Sequence, residues 1–140
     1  MKRILLLALL VLAVAVSLAP ALAADTVTIE GVSFHLPDGY TEDSAQQSVN
    51  ISGSQDSLEY KMSGKVFVKG NNAVSVMVED FGDYSVSDDV ISQVGDAKTL
   101  KNVKGYMKEV GGAYAFTYLK DGKVVIISST DENAIGEFLG

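Results

Sequence analysis

The sequence predicts an α+β domain, an antiparallel β-sheet with a short middle helix and a C-terminal helix packed on one face. Three observations carry this. Apolar and polar residues alternate in short runs along most of the chain, which is the period of half-buried strands. Hairpin-type turn residues separate those runs, most clearly at Lys69–Asn72 and at Asp121-Gly122. Helical spacing is confined to the residues after Ser87 and to the end of the chain, where Ala134, Ile135, Phe138 and Leu139 fall on one stripe.

Taken in order, Val27 and Ile29, then Val32, Phe34 and Leu36, predict two short strands broken at Gly31. Pro37, Asp38 and Gly39 end the second. Residues 41–57, rich in Ser, Gln, Asp and Asn, carry no clear period and read as a long surface excursion with room for a short helix. Leu58, Tyr60 and Met62, then Val66 and Val68, then Val74, Val76 and Val78, give three alternating runs, the last two joined by a turn at Gly70. Ser87 is placed to cap a short helix, with Asp88 and Asp89 in its first turn and Val86 stapled to Ile91; Gly95 ends it. Residues 97–110 fit two periods, helical through Leu100, Val103, Met107 and Val110, and extended around Gly105. The strand is the reading taken. Tyr114, Phe116 and Tyr118 then run to Asp121-Gly122, and Val124–Ile127 returns apolar on both faces, as a central strand must. Ser129 and Glu132 fit a capping box for the last helix.

One segment stands apart from this domain. Lys2 and Arg3, an unbroken apolar run from Ile4 to Val16, Pro20 and the small residues around Ala21–Ala24 have the layout of a secretory signal peptide. The cations stay on the cytoplasmic side while the apolar run inserts as a short helix, which Pro20 breaks before a small-residue cleavage site. Residues 1–24 therefore read as a signal peptide, or as an uncleaved membrane anchor if the run tilts to span, and residues 25–140 as a single extracytoplasmic domain. The expected location is secreted or cell-envelope associated, with membrane contact only if the leader is retained.

Composition excludes several chemistries. With Cys 0, disulfides, thiolate metal sites and a cysteine nucleophile are absent together, so stability must come from apolar packing. The chain carries a net charge of −7, and its only arginine, Arg3, lies in the leader. Bidentate recognition of phosphate or carboxylate by arginine is closed to the domain, and nucleic-acid binding, which draws its affinity from phosphate neutralisation, is disfavoured.

Phe34-x-Leu36-Pro37-x-Gly39-Tyr40, Asn102-Val103-Lys104-Gly105-Tyr106 and Phe116-x-Tyr118-x-x-Asp121-Gly122-Lys123-Val124-Val125-Ile126 resemble small exported proteins of unknown function from methanogenic archaea. The opening F-x-L-P-x-G-Y is also similar to the start of PsbP/Mog1-like domains, which are mostly binding or assembly modules. These are turn and core residues, so the resemblance implies a shared fold and carries no functional residue across.

Candidate sites are few. His35, the only histidine, cannot belong to a multi-histidine metal site, and no G-x-S-x-G supplies an oriented serine for a triad. Glu79, Asp80 and Asp83 offer hard oxygen ligands for a weak Ca²⁺ site, without the spacing of an EF-hand loop. Asn50-Ile51-Ser52 is a glycosylation sequon. Lys98, Lys101, Lys104 and Lys108 suit a strand edge protected against aggregation, and Tyr114, Phe116 and Tyr118 suit a core face. The chain therefore reads as a non-catalytic domain that binds or assembles with an envelope protein or polymer. Two alternatives remain open, an enzyme using acidic residues on envelope glycans and a divalent-cation-binding wall protein.

Overall fold

The computed structural model describes residues 26–43, 49–55 and 58–139. The leader, to which the export reading attaches, lies outside them. Two strands, β1 (Thr26–Ile29) and β2 (Val32–His35), form a separate antiparallel hairpin around Glu30 and Gly31, both at positive φ. The main sheet is built from β3 (Thr41–Glu42), β4 (Val49–Gln55), β5 (Leu58–Lys69), β6 (Asn72–Asp80), β7 (Asp96–Leu100), β8 (Val103–Val110), β9 (Ala113–Lys120) and β10 (Lys123–Ser129). Every pairing in it is antiparallel, in the order β3-β5-β6-β10-β9-β8-β7, and β4 shares the outer side of β5 with β3. Two helices complete the domain, α1 (Asp88–Ile91), which runs on into a 3₁₀ turn at Ser92–Val94, and α2 (Glu132–Glu137).

The sheet is two meanders, β4-β5-β6 and β7-β8-β9-β10, joined where β6 pairs with β10. Val78 faces Val125 across that seam, and Val76 faces Ile127. Val124, Val125, Ile126 and Ile127 are all buried, so β10 is apolar on both faces and central, as its sequence predicts.

One face of the sheet carries Val74, Val76, Val78, Phe116, Tyr118, Val125 and Ile127. It packs against Ile29, Val32 and Phe34 of the β1–β2 hairpin and against Ala134, Ile135 and Phe138 of the α2 region. Phe138 sits edge-on to Tyr40, centroids 5.0 Å apart, and tilted against Phe67 at 5.5 Å. The opposite face carries Met62, Met77, Ala115, Val124 and Ile126, which pack with Phe81, Val86 and Ile91 from the α1 segment. The expected middle and C-terminal helices are both present, but they lie on opposite faces. A strand that is apolar on both sides needs a cover on both sides.

The structure corrects several local readings. Residues 49–55 form β4, paired with β5 through residues 58–64, where a surface excursion was expected. An edge strand is held by its backbone on one side only and needs no apolar alternation to signal it. The runs at 58–62 and 66–68 are one strand, β5, because Tyr60, Met62, Gly64, Val66 and Val68 keep an unbroken period of two. Gly64 interrupted the apolar pattern without interrupting the strand. Residues 97–110 contain a hairpin, β7–β8, turned at Lys101 and Asn102, which both take positive φ. Ser87 occupies the N-cap position of α1 with no side-chain cap hydrogen bond. The α2 cap is Asp131, whose Oδ1 accepts from the Asn133 N–H at 3.0 Å, while Ser129 Oγ accepts from the Asp131 N–H and donates to the Ala73 carbonyl.

Lysines fasten the hairpin to the sheet. Lys123 Nζ donates to the Glu30 carbonyl at 2.7 Å, Ser63 Oγ donates to Glu30 Oε2 at 2.6 Å, and Lys120 Nζ donates to the Ser33 carbonyl at 3.2 Å. At the far end of the sheet Lys98 pairs with Glu132 and so ties β7 to α2.

Gly105 tests this packing. A Cβ there would stand 2.5 Å from the Thr117 carbonyl oxygen and 2.7 Å from Phe116 Cζ, since the Phe116 ring lies over the bare backbone of β8. Gly105→Ala is expected to lower stability by about 1–3 kcal/mol through overpacking, read by denaturant unfolding. A loss no larger than that of an exposed substitution would mean that Phe116 moves aside at no cost.

Candidate functional site

Alternation along β6 sends Glu79 and Asp80 to opposite faces of the sheet. Glu79 is 2% exposed, among the apolar side chains of the α1-covered face, with Met62 and Val124 as its cross-strand neighbours. Neither of its carboxylate oxygens has a hydrogen-bond partner, and Thr117 Oγ1 on the same face is likewise buried and unpartnered. Burial alone pushes the Glu79 carboxyl up to about 7. Asp80 turns outward, accepts from the Gly82 N–H at 2.9 Å and lies 3.8 Å from Lys123 Nζ. Asp83 is exposed. Among the described residues no group of three His, Cys, Asp or Glu side chains is placed to hold a metal ion. Asp88, further along the acidic stretch, accepts from the Tyr106 hydroxyl at 2.6 Å and anchors α1 to β8.

The other sequence candidates resolve into the fold. Asn50 is a β4 residue whose backbone pairs with Ser63. Phe116 and Tyr118 are core residues, and Tyr114 packs against them partly buried. Lys98 lies in β7, the terminal strand of the sheet, which is the edge position expected for it, with Lys101 in the adjoining turn and Lys104 and Lys108 on β8. Among the described residues no helix is long and apolar enough to cross a membrane.

The structure also forms a cleft that no sequence motif announced. The β1–β2 hairpin and α2 cover the same face of the sheet without closing over β8 and β9, and a pocket of about 250 Å³ opens between them. Phe34 and His35 of β2, Val103 of β8, Tyr118 and Lys120 of β9, and Phe138 after α2 line it, together with Ser33, Leu119 and Leu139. No known family, curated protein or solved structure matches this chain. The cleft must therefore be read from its own chemistry.

That chemistry is one-sided. No Asp or Glu is among the lining residues, although the chain as a whole carries a net charge of −7. Its ionisable groups are Lys120, His35 and Tyr118, and each can donate a hydrogen bond. Lys120 holds its ammonium 5.8 Å from the centroid of the Phe34 ring and uses one donor on the Ser33 carbonyl, which leaves two free. The Tyr118 hydroxyl has no hydrogen-bond partner among the described residues, and burial raises its pKa, so it remains a donor. Phe34, Val103 and Phe138 supply the apolar wall.

Sequence reasoning found His35 and Tyr118 but placed neither in a site. Lys120, Val103 and Phe138 gave no signal, because they come from three distant segments that only the packing of the hairpin and α2 brings together.

The buried carboxyl yields a pH test. The Glu79 side chain ionises near 4.5 when unfolded and near 7 when folded. Between those values the unfolded chain releases a proton that the folded chain keeps, so stability falls as pH rises through this window and levels off above it. Wild type is expected to lose about 3 kcal/mol between pH 4.5 and pH 8 from this group. Glu79→Gln should remove that component while leaving the rest of the profile unchanged, as measured by urea unfolding at a series of pH values. Parallel profiles for the two proteins would place the carboxyl in contact with water.

Proposed function

We propose that this chain is a non-catalytic extracytoplasmic domain that binds a component of the cell envelope, protein or polymer, through the cleft between β2, β9 and the end of α2. The observation that carries the reading is the lining of that cleft, an apolar wall under a rim of donors with no carboxylate among them. Such a site can recognise but has little to catalyse with. Glycan hydrolysis needs two carboxyl groups flanking the scissile bond, and nucleophilic catalysis needs an oriented base beside its nucleophile. The lining residues provide neither arrangement, so the glycan-enzyme alternative has less support than binding.

Size points the same way. Pockets that engulf a drug-sized ligand run from about 300 to 1,000 Å³, and this one, at about 250 Å³, is suited to one end of a larger partner. The export reading of residues 1–24 puts such a partner in the envelope or beyond it. Divalent-cation binding through Glu79, Asp80 and Asp83 has less to recommend it, since Glu79 is buried on one face and Asp80 points to the other.

The test is position-specific photo-crosslinking. A benzophenone side chain placed at exposed Ser33, beside the cleft, and irradiated with native envelope material is expected to give a discrete adduct. The same group at Asp83, on the exposed loop after β6, should give none. Equal adducts from both positions, or none from Ser33, would remove the cleft as the binding site.

A further inference from the structure

We propose that the cleft takes a carboxylate carried on a short apolar stem, with the acid on Lys120 and His35 and the stem against Phe34, Val103 and Phe138. This rests on the reading of the cleft as the binding site and names its ligand class.

The first argument is the sign of the lining. Eighteen Asp and Glu side chains are spread over the chain, yet none is among the lining residues, whereas the only histidine and one of the lysines are. The negative charge of the rest of the molecule opposes an approaching anion only weakly. Exposed charges beyond about 8 Å are largely screened at physiological ionic strength, so the local cation decides.

The second argument is the number of donors. Lys120 has two ammonium hydrogens left after its bond to Ser33, His35 is exposed, and no partner among the described residues takes the Tyr118 hydroxyl. A carboxylate has about four acceptor sites and can accept from several donors at once. The match is to a monoanion. A phosphate dianion is ordinarily held by arginine forks, several cations or a nest of backbone N–H groups, whereas this cleft has one fixed cation and no arginine.

The third argument is the wall. Lys120 stands over the Phe34 ring, so the charged end of the cleft adjoins its apolar part directly. A ligand that places a charge on Lys120 must lay its next few carbons on Phe34, Val103 or Phe138. Free short-chain acids and the C-terminal carboxylate of a protein or peptide both have this form.

Two-dimensional NMR of the purified full-length chain, following the signals of Phe34, His35 and Tyr118, tests the proposal. The probes are sodium butyrate, butylamine, butanol, inorganic phosphate, and one tetrapeptide of apolar sequence with either a free or an amidated C-terminus. Saturable shifts are expected with butyrate and with the free-acid peptide, and none of comparable size with butylamine, phosphate or the amidated peptide. If the free-acid peptide binds at least tenfold more tightly than butyrate, the carboxylate source is a chain terminus; equal affinities indicate a small acid. Lys120→Met should weaken binding at least fivefold and Lys120→Arg should retain it. His35→Ala, at an exposed position without structural contacts, should weaken binding with the fold intact, which separates loss of a ligand contact from loss of the β2–β9 link.

Failure of this proposal is distinguishable from failure of the binding reading. Butanol or butylamine shifting the cleft signals as strongly as butyrate would overturn the carboxylate and leave a binding cleft. No cleft shift with any probe would also overturn the carboxylate, and the Ser33 crosslink would then decide separately whether the cleft is a binding site.

Discussion

The architecture depends on β10 being apolar on both sides. Val124 and Ile126 point to one face, Val125 and Ile127 to the other, and all four are buried. Burying a Val or Ile side chain contributes roughly 1.5–3 kcal/mol relative to leaving it exposed, so neither face of the sheet centre can be left to solvent. The rest of the chain answers that constraint. The β1–β2 hairpin and α2 cover one face, the α1 segment covers the other, and β6 and β9 flank the strand on its two hydrogen-bonding edges.

The cleft is a by-product of how the first face is covered. A two-stranded hairpin and a six-residue helix are both small, and each is held in place by specific polar contacts. Lys120, Lys123 and Ser63 hold the hairpin, and Lys98, pairing with Glu132, holds α2. Tyr40 adds a further link to α2. Its hydroxyl donates to Glu137, and burial together with that carboxylate pushes it up to about 12. Two covers fixed at separate points leave a gap between them, and the residues at the gap become the walls of the cleft. Lys120 thus has two roles, fastening β2 to β9 and presenting a cation at the rim.

The two faces differ in their treatment of charge. The face under α1 encloses Glu79 with no partner for either oxygen. The face under the hairpin and α2 has its polar groups at the margins, where lysines meet carbonyls and carboxylates. An unpaired buried carboxyl is costly when ionised, and it stays neutral by holding its proton to higher pH. The fold therefore carries a pH-dependent strain on one face that is separate from the cleft on the other.

Much of the local structure was legible in the sequence because it follows from local physics. Alternation at 32–36, 74–78 and 114–118 reports the pleat of a strand, and Gly70 and Asp121-Gly122 report backbone conformations at positive φ that few other residues adopt cheaply. The double apolar pattern of Val124–Ile127 placed β10 in the interior before any partner was known. Other features had no local signature. Residues 49–55 are a strand because the edge of β5 offers hydrogen bonds, not because their side chains alternate. The pairing of β6 with β10 joins segments about fifty residues apart, and the valine-rich strands looked equally suited to one another until packing chose among them. His35 and Tyr118 were visible as residues, yet their place beside Lys120, Val103 and Phe138 was not. The sequence by itself determined the strands, most of the turns and the absence of cysteine and arginine chemistry in the domain, since these depend on neighbours in the chain or on composition. The order of the strands, the placing of helices on opposite faces and the cleft between their covers were decided by tertiary structure, because each depends on contacts between residues far apart in sequence.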